Sequence, residues 1–80
     1  MKIKQSRYYK EICPAGGYTI YYVNASSVYE VGFTSATNNK LCILPKMSWF
    51  TTISRWEQWI NRYSYQVTEL TNQEAFVELL

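Results

Sequence analysis

Six glutamates and two cysteines carry most of the acid–base and nucleophilic potential of this chain, which has no histidine and no aspartate. Glu11, Glu30, Glu57, Glu69, Glu74 and Glu78 could in principle pair as general acid and base, since a carboxylate dyad needs two groups whose surroundings push their pKa values apart. Histidine is the side chain that titrates near neutrality, so Ser/His and Cys/His systems and histidine-based metal sites each lack a member. Cys13 and Cys42 cannot by themselves complete a four-ligand zinc site, and the chain has no glycine-rich phosphate loop or dinucleotide fingerprint. Glu57, Glu74 and Glu78 fall in helical patterns where capping and solvation account for them. Glu30, flanked on its own strand face by Val28 and Gly32, is the carboxylate with no such account and is a candidate partner contact. The expectation is a protein with no catalytic residue, cofactor or metal.

The elements that would position these residues are those of one domain over residues 1–80, because a chain of 80 residues hides only ~60 to 65% of its unfolded surface and cannot divide that between two cores. A 48% apolar and 18% charged composition is that of a folding chain. The N-terminus lacks the apolar run of a secretory signal or a membrane span, so a reducing cytoplasm is expected, with Cys13 and Cys42 as free buried thiols; a disulfide or redox pair is the alternative.

Lys2–Ile12 reads as an edge strand, and Cys13-Pro14-Ala15-Gly16-Gly17 as a turn. Tyr18–Val23 and Val28–Phe33 form a hairpin, with Tyr29, Val31 and Phe33 on the core side of the second strand. After a polar loop over Thr34–Lys40, the run Leu41-Cys42-Ile43-Leu44 predicts a strand buried on both faces or central in the sheet, which Pro45 stops. A helix starting near Thr51 or Thr52 and reaching Tyr63 carries an apolar stripe of Ile53, Trp56, Ile60 and Tyr63, widened by Trp59, and holds Ser54 and Glu57 at capping-box spacing. Tyr65–Leu70 alternates as a strand, and Thr71 with Glu74 forms a capping box for a short last helix. The fold class is therefore α+β: a small antiparallel sheet of four to five strands, one amphipathic helix packed across it and a short C-terminal helix.

Eight of the fourteen aromatic residues are tyrosines, which suit a thin core as well as a contact surface. In a protein-binding module the anchors would be Tyr21, Tyr22 and Trp49, with Glu30 beside them; Trp49 could equally staple the helix that follows it. The alternative is a small nucleic-acid-binding accessory protein. Its bases would stack on Tyr8, Tyr9, Tyr21 or Tyr22 while Lys2, Lys4, Arg7 and Lys10 meet phosphates. A net charge of +2 argues against that alternative. An edge strand at either margin could also pair two subunits as a homodimer.

In size and layout the whole chain resembles the small proteins that bacteriophages and other mobile elements encode to block host defence, anti-CRISPR proteins among them. The resemblance carries over no individual residue. It implies a non-enzymatic inhibitor that binds one host protein complex, such as a CRISPR-Cas effector, stoichiometrically in the host cytoplasm.

Overall fold

The computed structural model describes residues 2–35, 37–63 and 65–79, with Asn38 and Asn39 described by their backbone alone. Among the described residues five strands and two helices follow one another as β1 (Arg7–Ile12), β2 (Tyr18–Asn24), β3 (Ser27–Ser35), β4 (Asn38–Thr52), α1 (Ile53–Tyr63), β5 (Gln66–Leu70) and α2 (Asn72–Glu78). The strands form one antiparallel sheet in the order β4-β3-β2-β1-β5, so the fold is the expected small α+β arrangement.

The two helices lie on opposite faces of the sheet. Tyr9, Tyr21, Val23 and Val28 pack with Trp56 and Ile60 of α1, while Ile20, Val31 and Leu70 pack with Ala75 of α2. Strands covered on both sides need apolar residues at odd and even positions, which is why the β2 run Tyr18–Val23 shows no single inner face. Ile20, Val23 and Val28 are fully buried, each contributing about 1.5–3 kcal/mol of transfer free energy.

Several expectations are corrected by this topology. β1 is shorter than Lys2–Ile12 and is no edge, because β5 pairs along its second side with Tyr8 opposite Leu70 and Ile12 opposite Gln66. In β3 an irregularity beside Val31 resets the alternation: Tyr29 and Val31 face α2, whereas Phe33 pairs with Thr19 on the α1 side and is 37% exposed. Val28, expected on the outer side, is fully buried beneath α1.

The polar loop after β3 is also shorter than expected, since β3 continues to Ser35 and β4 starts at Asn38. β4 is the edge of the sheet rather than a central strand, and it runs on through Pro45. Between the pairs Gly32–Ile43 and Glu30–Ser48, the four residues Leu44–Met47 stand against Val31 alone. Proline is tolerated there because an edge strand at a bulge need not donate its backbone N–H inward.

Tight turns set the registers. The β2–β3 hairpin turns on Ala25 and Ser26 with φ of 51° and 65°, the pair of positive values that a two-residue type I′ turn requires. The Ser26 carbonyl also accepts the backbone N–H of Ile53 at 3.0 Å, fastening the turn to the start of α1. At the β1–β2 turn, Gly17 has φ of 81°, and a Cβ there would lie 2.5 Å from the Thr34 carbonyl oxygen.

α1 starts at Ile53, with the Thr52 hydroxyl 3.4 Å from the backbone N of Arg55, so the Ser54/Glu57 box does not cap it. The Thr71/Glu74 box of α2 is formed in both directions, at 2.9 Å and 3.0 Å. Both cysteines are free, as expected, but exposed rather than buried. Among the described residues no helix is long and apolar enough to cross a membrane.

Candidate protein-binding surface

Register places a row of apolar and aromatic side chains straight across the α2 face of the sheet. Leu70 pairs with Tyr8, Tyr8 with Tyr22, Tyr22 with Tyr29, and Tyr29 with Trp49. Residues paired across antiparallel strands project to the same side, so this row runs from β5 to β4. The Tyr8 and Tyr22 rings meet at 4.7 Å between centroids. Ala75 of α2 packs near Leu70 in one cluster that also takes in Tyr8 and Tyr22, so the row is sheltered at its β5 end. Exposure then rises along it, from Leu70 at 5% through half-buried tyrosines to Trp49 at 59%.

The anchors expected from sequence divide between the two faces. Tyr22 and Trp49 belong to this row. Tyr21 and Glu30 lie on the other face, and Tyr21 is buried, which removes it as an anchor: its ring packs 5.1 Å from Trp56 and 5.3 Å from Phe50. Burial, followed by the nearby Glu11 charge, pushes the Tyr21 phenol far above its ordinary value of 10. Trp49 does not staple α1; it pairs with Tyr29 on the α2 side, and strand alternation sends its neighbour Phe50 to the α1 side, against Tyr21.

The basic strip does not assemble. Tyr9 is wholly buried, with its hydroxyl donating to Glu69 at 3.2 Å and accepting from the Lys4 backbone N–H at 2.9 Å. Lys4 stands 3.8 Å from the same Glu69. Lys10 points to the opposite face, where it pairs with Glu78 of α2 at 3.1 Å and lies 4.1 Å from the Tyr18 ring centroid. Lys2 and Arg7 are exposed, and Arg7 reaches the Ser6 carbonyl at 3.2 Å. Tyr8, half-buried under α2, is in the aromatic row rather than on a phosphate-lined groove.

Four of the six carboxylates, Glu11, Glu69, Glu74 and Glu78, have structural partners. Glu11, half-buried, accepts from Trp56 Nε1 at 3.2 Å and from the Tyr21 hydroxyl at 3.5 Å, and desolvation raises its carboxyl above the ordinary range despite both donors. Glu78 accepts from the Tyr18 hydroxyl at 2.9 Å as well as from Lys10. Among the described residues no cluster of three or more metal-ligating side chains occurs.

A second feature was not visible in the sequence. Phe50, Thr51, Arg55, Trp56 and Trp59 line a groove of about 230 Å³ between β4 and α1. Trp59 and Tyr63, expected to extend the buried stripe, are 45% and 49% exposed. Trp59 instead stacks on Tyr65 at 5.7 Å and meets Tyr63 at 4.5 Å. The run of aromatics at Trp56, Trp59 and Tyr63 was a signal, but helical spacing alone does not say where the sheet beneath a helix ends. Compared with known protein families, curated proteins and solved structures, this chain matches none.

Proposed function

We propose that this protein is a non-enzymatic interaction module that acts by stoichiometric binding of another protein, in the manner of a phage-type inhibitor seated on a host complex such as a CRISPR-Cas effector in the cytoplasm. The observation that carries the reading is the row Tyr22–Tyr29–Trp49 on the α2 face, ending in a tryptophan 59% exposed on the edge strand. Tryptophan and tyrosine are the residue types that dominate binding energy when a partner desolvates them. Glu11, Glu69, Glu74 and Glu78 are engaged with tyrosine, tryptophan, lysine and a helix cap, which suits a scaffold better than a reaction centre. The dispersed lysines make nucleic acid the weaker ligand.

The test is a tagged pull-down from the lysate of a candidate host, repeated with nuclease and at high salt, with Trp49→Ala and Tyr29→Ala alongside. A protein recovered in stoichiometric amount through both treatments, and reduced about tenfold or more by Trp49→Ala, is the expected result. Recovery of nucleic acid that vanishes with nuclease or salt would overturn the reading.

A further inference from the structure

The structure assigns to the outer edge of β4, over Ser48–Thr52, the pairing of one extended strand from another protein, a strand that carries a large apolar side chain and, two residues away, a carboxylate. This inference rests on the interaction function proposed above and names the surface and the partner chemistry.

An edge strand presents backbone N–H and C=O groups that have no strand beyond them, and natural sheets usually blunt such edges with proline, lysine or bulges. β4 is blunted most heavily in its middle, while Ser48–Thr52 carries a single register shift, at Phe50 between the pairs Tyr29–Trp49 and Val28–Thr51. Pro45, Lys46 and the out-of-register Leu44–Met47 segment protect its middle. Ser48-Trp49-Phe50-Thr51-Thr52 has no charge, no proline and no glycine, and consists mostly of β-branched and aromatic residues. It is paired with β3 on its inner side through Trp49–Tyr29, Thr51–Val28 and Thr52–Ser27.

A strand added here would send alternate side chains to the two faces of the sheet, the mode in which backbone bonds give affinity and side-chain pockets give specificity. On the α2 face its side chains meet Trp49. On the α1 face they meet the groove walled by Phe50 and Trp59, which are 44% and 45% exposed, and closed at its base by Trp56. At about 230 Å³ this groove is smaller than the roughly 300–1,000 Å³ of a small-molecule site and is of the size of one large side chain.

Charge decides what else the partner carries. Arg55 lines the same groove, is exposed, and among the described residues pairs with no carboxylate. Residues two apart on a strand share a face, so a carboxylate at that spacing from the apolar residue is placed to meet the guanidinium. A second copy of this chain does not supply it: β4 contains Lys40 and Lys46 and no acidic residue, and pairing two β4 edges would gather only positive charge.

The test selects strand-forming peptides from a random display library against the purified full chain and measures the selected peptide by fluorescence anisotropy and amide hydrogen exchange. The expected outcome is a consensus of a large apolar residue with Asp or Glu two positions away, slowed exchange across Ser48–Thr52, and binding weakened about tenfold or more by Arg55→Glu. Replacing the peptide carboxylate with lysine should restore binding to that variant. Arg55 is exposed, and Arg55→Gln serves as a folded control if the charge reversal perturbs the helix. A selected peptide indifferent to Arg55, protection elsewhere on the sheet, no selected peptide at all, or self-association that protects Ser48–Thr52 would each overturn the inference. A protein captured in the pull-down that is lost with Trp49→Ala but survives Arg55→Glu would leave the interaction function standing while removing this surface from it.

Discussion

Trp56 Nε1 donates a hydrogen bond at 3.2 Å to the Glu11 carboxylate, joining the one fully buried indole of α1 to the penultimate residue of strand β1. The contact satisfies the indole N–H, whose burial without a partner would cost about 1–3 kcal/mol. It does so at the expense of holding a carboxylate away from water, and that tension is open to measurement.

Burial raises the Glu11 carboxyl above its ordinary value of 4.5. A folded-state pKa above the unfolded one means the folded chain holds the proton more tightly. The associated stability is therefore fully present below about 4.5 and is lost as pH rises through the folded value. Glu74 has the opposite sign: bonds with Thr71 lower its pKa, so its contribution is present above 4.5 and lost as pH falls. Glu11→Gln, which keeps an acceptor for Trp56, should remove the decline on the alkaline side and leave the acid side unchanged. Thermal midpoints by circular dichroism from about pH 3 to pH 7 check this, and a variant that declines in parallel with the parent would refute it.

Two tryptophans seven residues apart in sequence should behave in opposite ways. Trp56 is fully buried, so Trp56→Ala is expected to cost about 3–5 kcal/mol, enough to approach global unfolding of a small domain. Trp49, at 59% exposure, should change stability by less than about 1 kcal/mol when replaced by alanine while carrying the effect on partner binding. Urea denaturation of both variants separates the two roles.

The β2–β3 turn holds Ala25 and Ser26 in left-handed conformations that cost L-residues about 1–2 kcal/mol each. Ala25→Asn with Ser26→Gly should therefore stabilise the fold by about 1 kcal/mol, with the Ser26 carbonyl bond to Ile53 retained by the backbone. At the preceding turn Gly17→Ala should do the reverse, since its Cβ collides with the Thr34 carbonyl. Chemical denaturation midpoints moving in these opposite directions are the expected reading.

Cys13 and Cys42 are both exposed in the folded protein. A thiol-specific reagent should modify both without denaturant, and unfolding should reveal no further reactive thiol. Slow labelling of either cysteine until denaturant is added would contradict the structure.

Much of the fold was legible because local chemistry dictates it. The Thr71/Glu74 box, the glycine turn after Ile12 and the stripe of Ile53, Trp56 and Ile60 each encode their structure within a few residues. What failed was long-range. Leu41–Leu44 reads as a buried strand, yet Ile43 is 45% exposed, because whether an apolar run is central or marginal depends on how many strands lie beyond it. Lys2–Ile12 reads as an edge for the same reason, since only the return of β5 converts β1 into an interior strand. The candidate site was half legible. Trp49 and Tyr22 share a face by register, but the burial of Tyr21 follows from Trp56 lying over it, and the groove beside Arg55 from β4 running directly into α1.

The pairing of β5 with β1 joins residues as far apart as Tyr8 and Leu70. Contacts across so long a span close late, after the meander from β1 to β4 has formed through its short connections. Until then β1 takes the place of β5 as the margin opposite β4, and offers its unpaired backbone groups to any passing strand. A version cut after Tyr63 should therefore fail by clumping rather than by simple loss of order, and the last strand is as much a shield for the first as a part of the sheet.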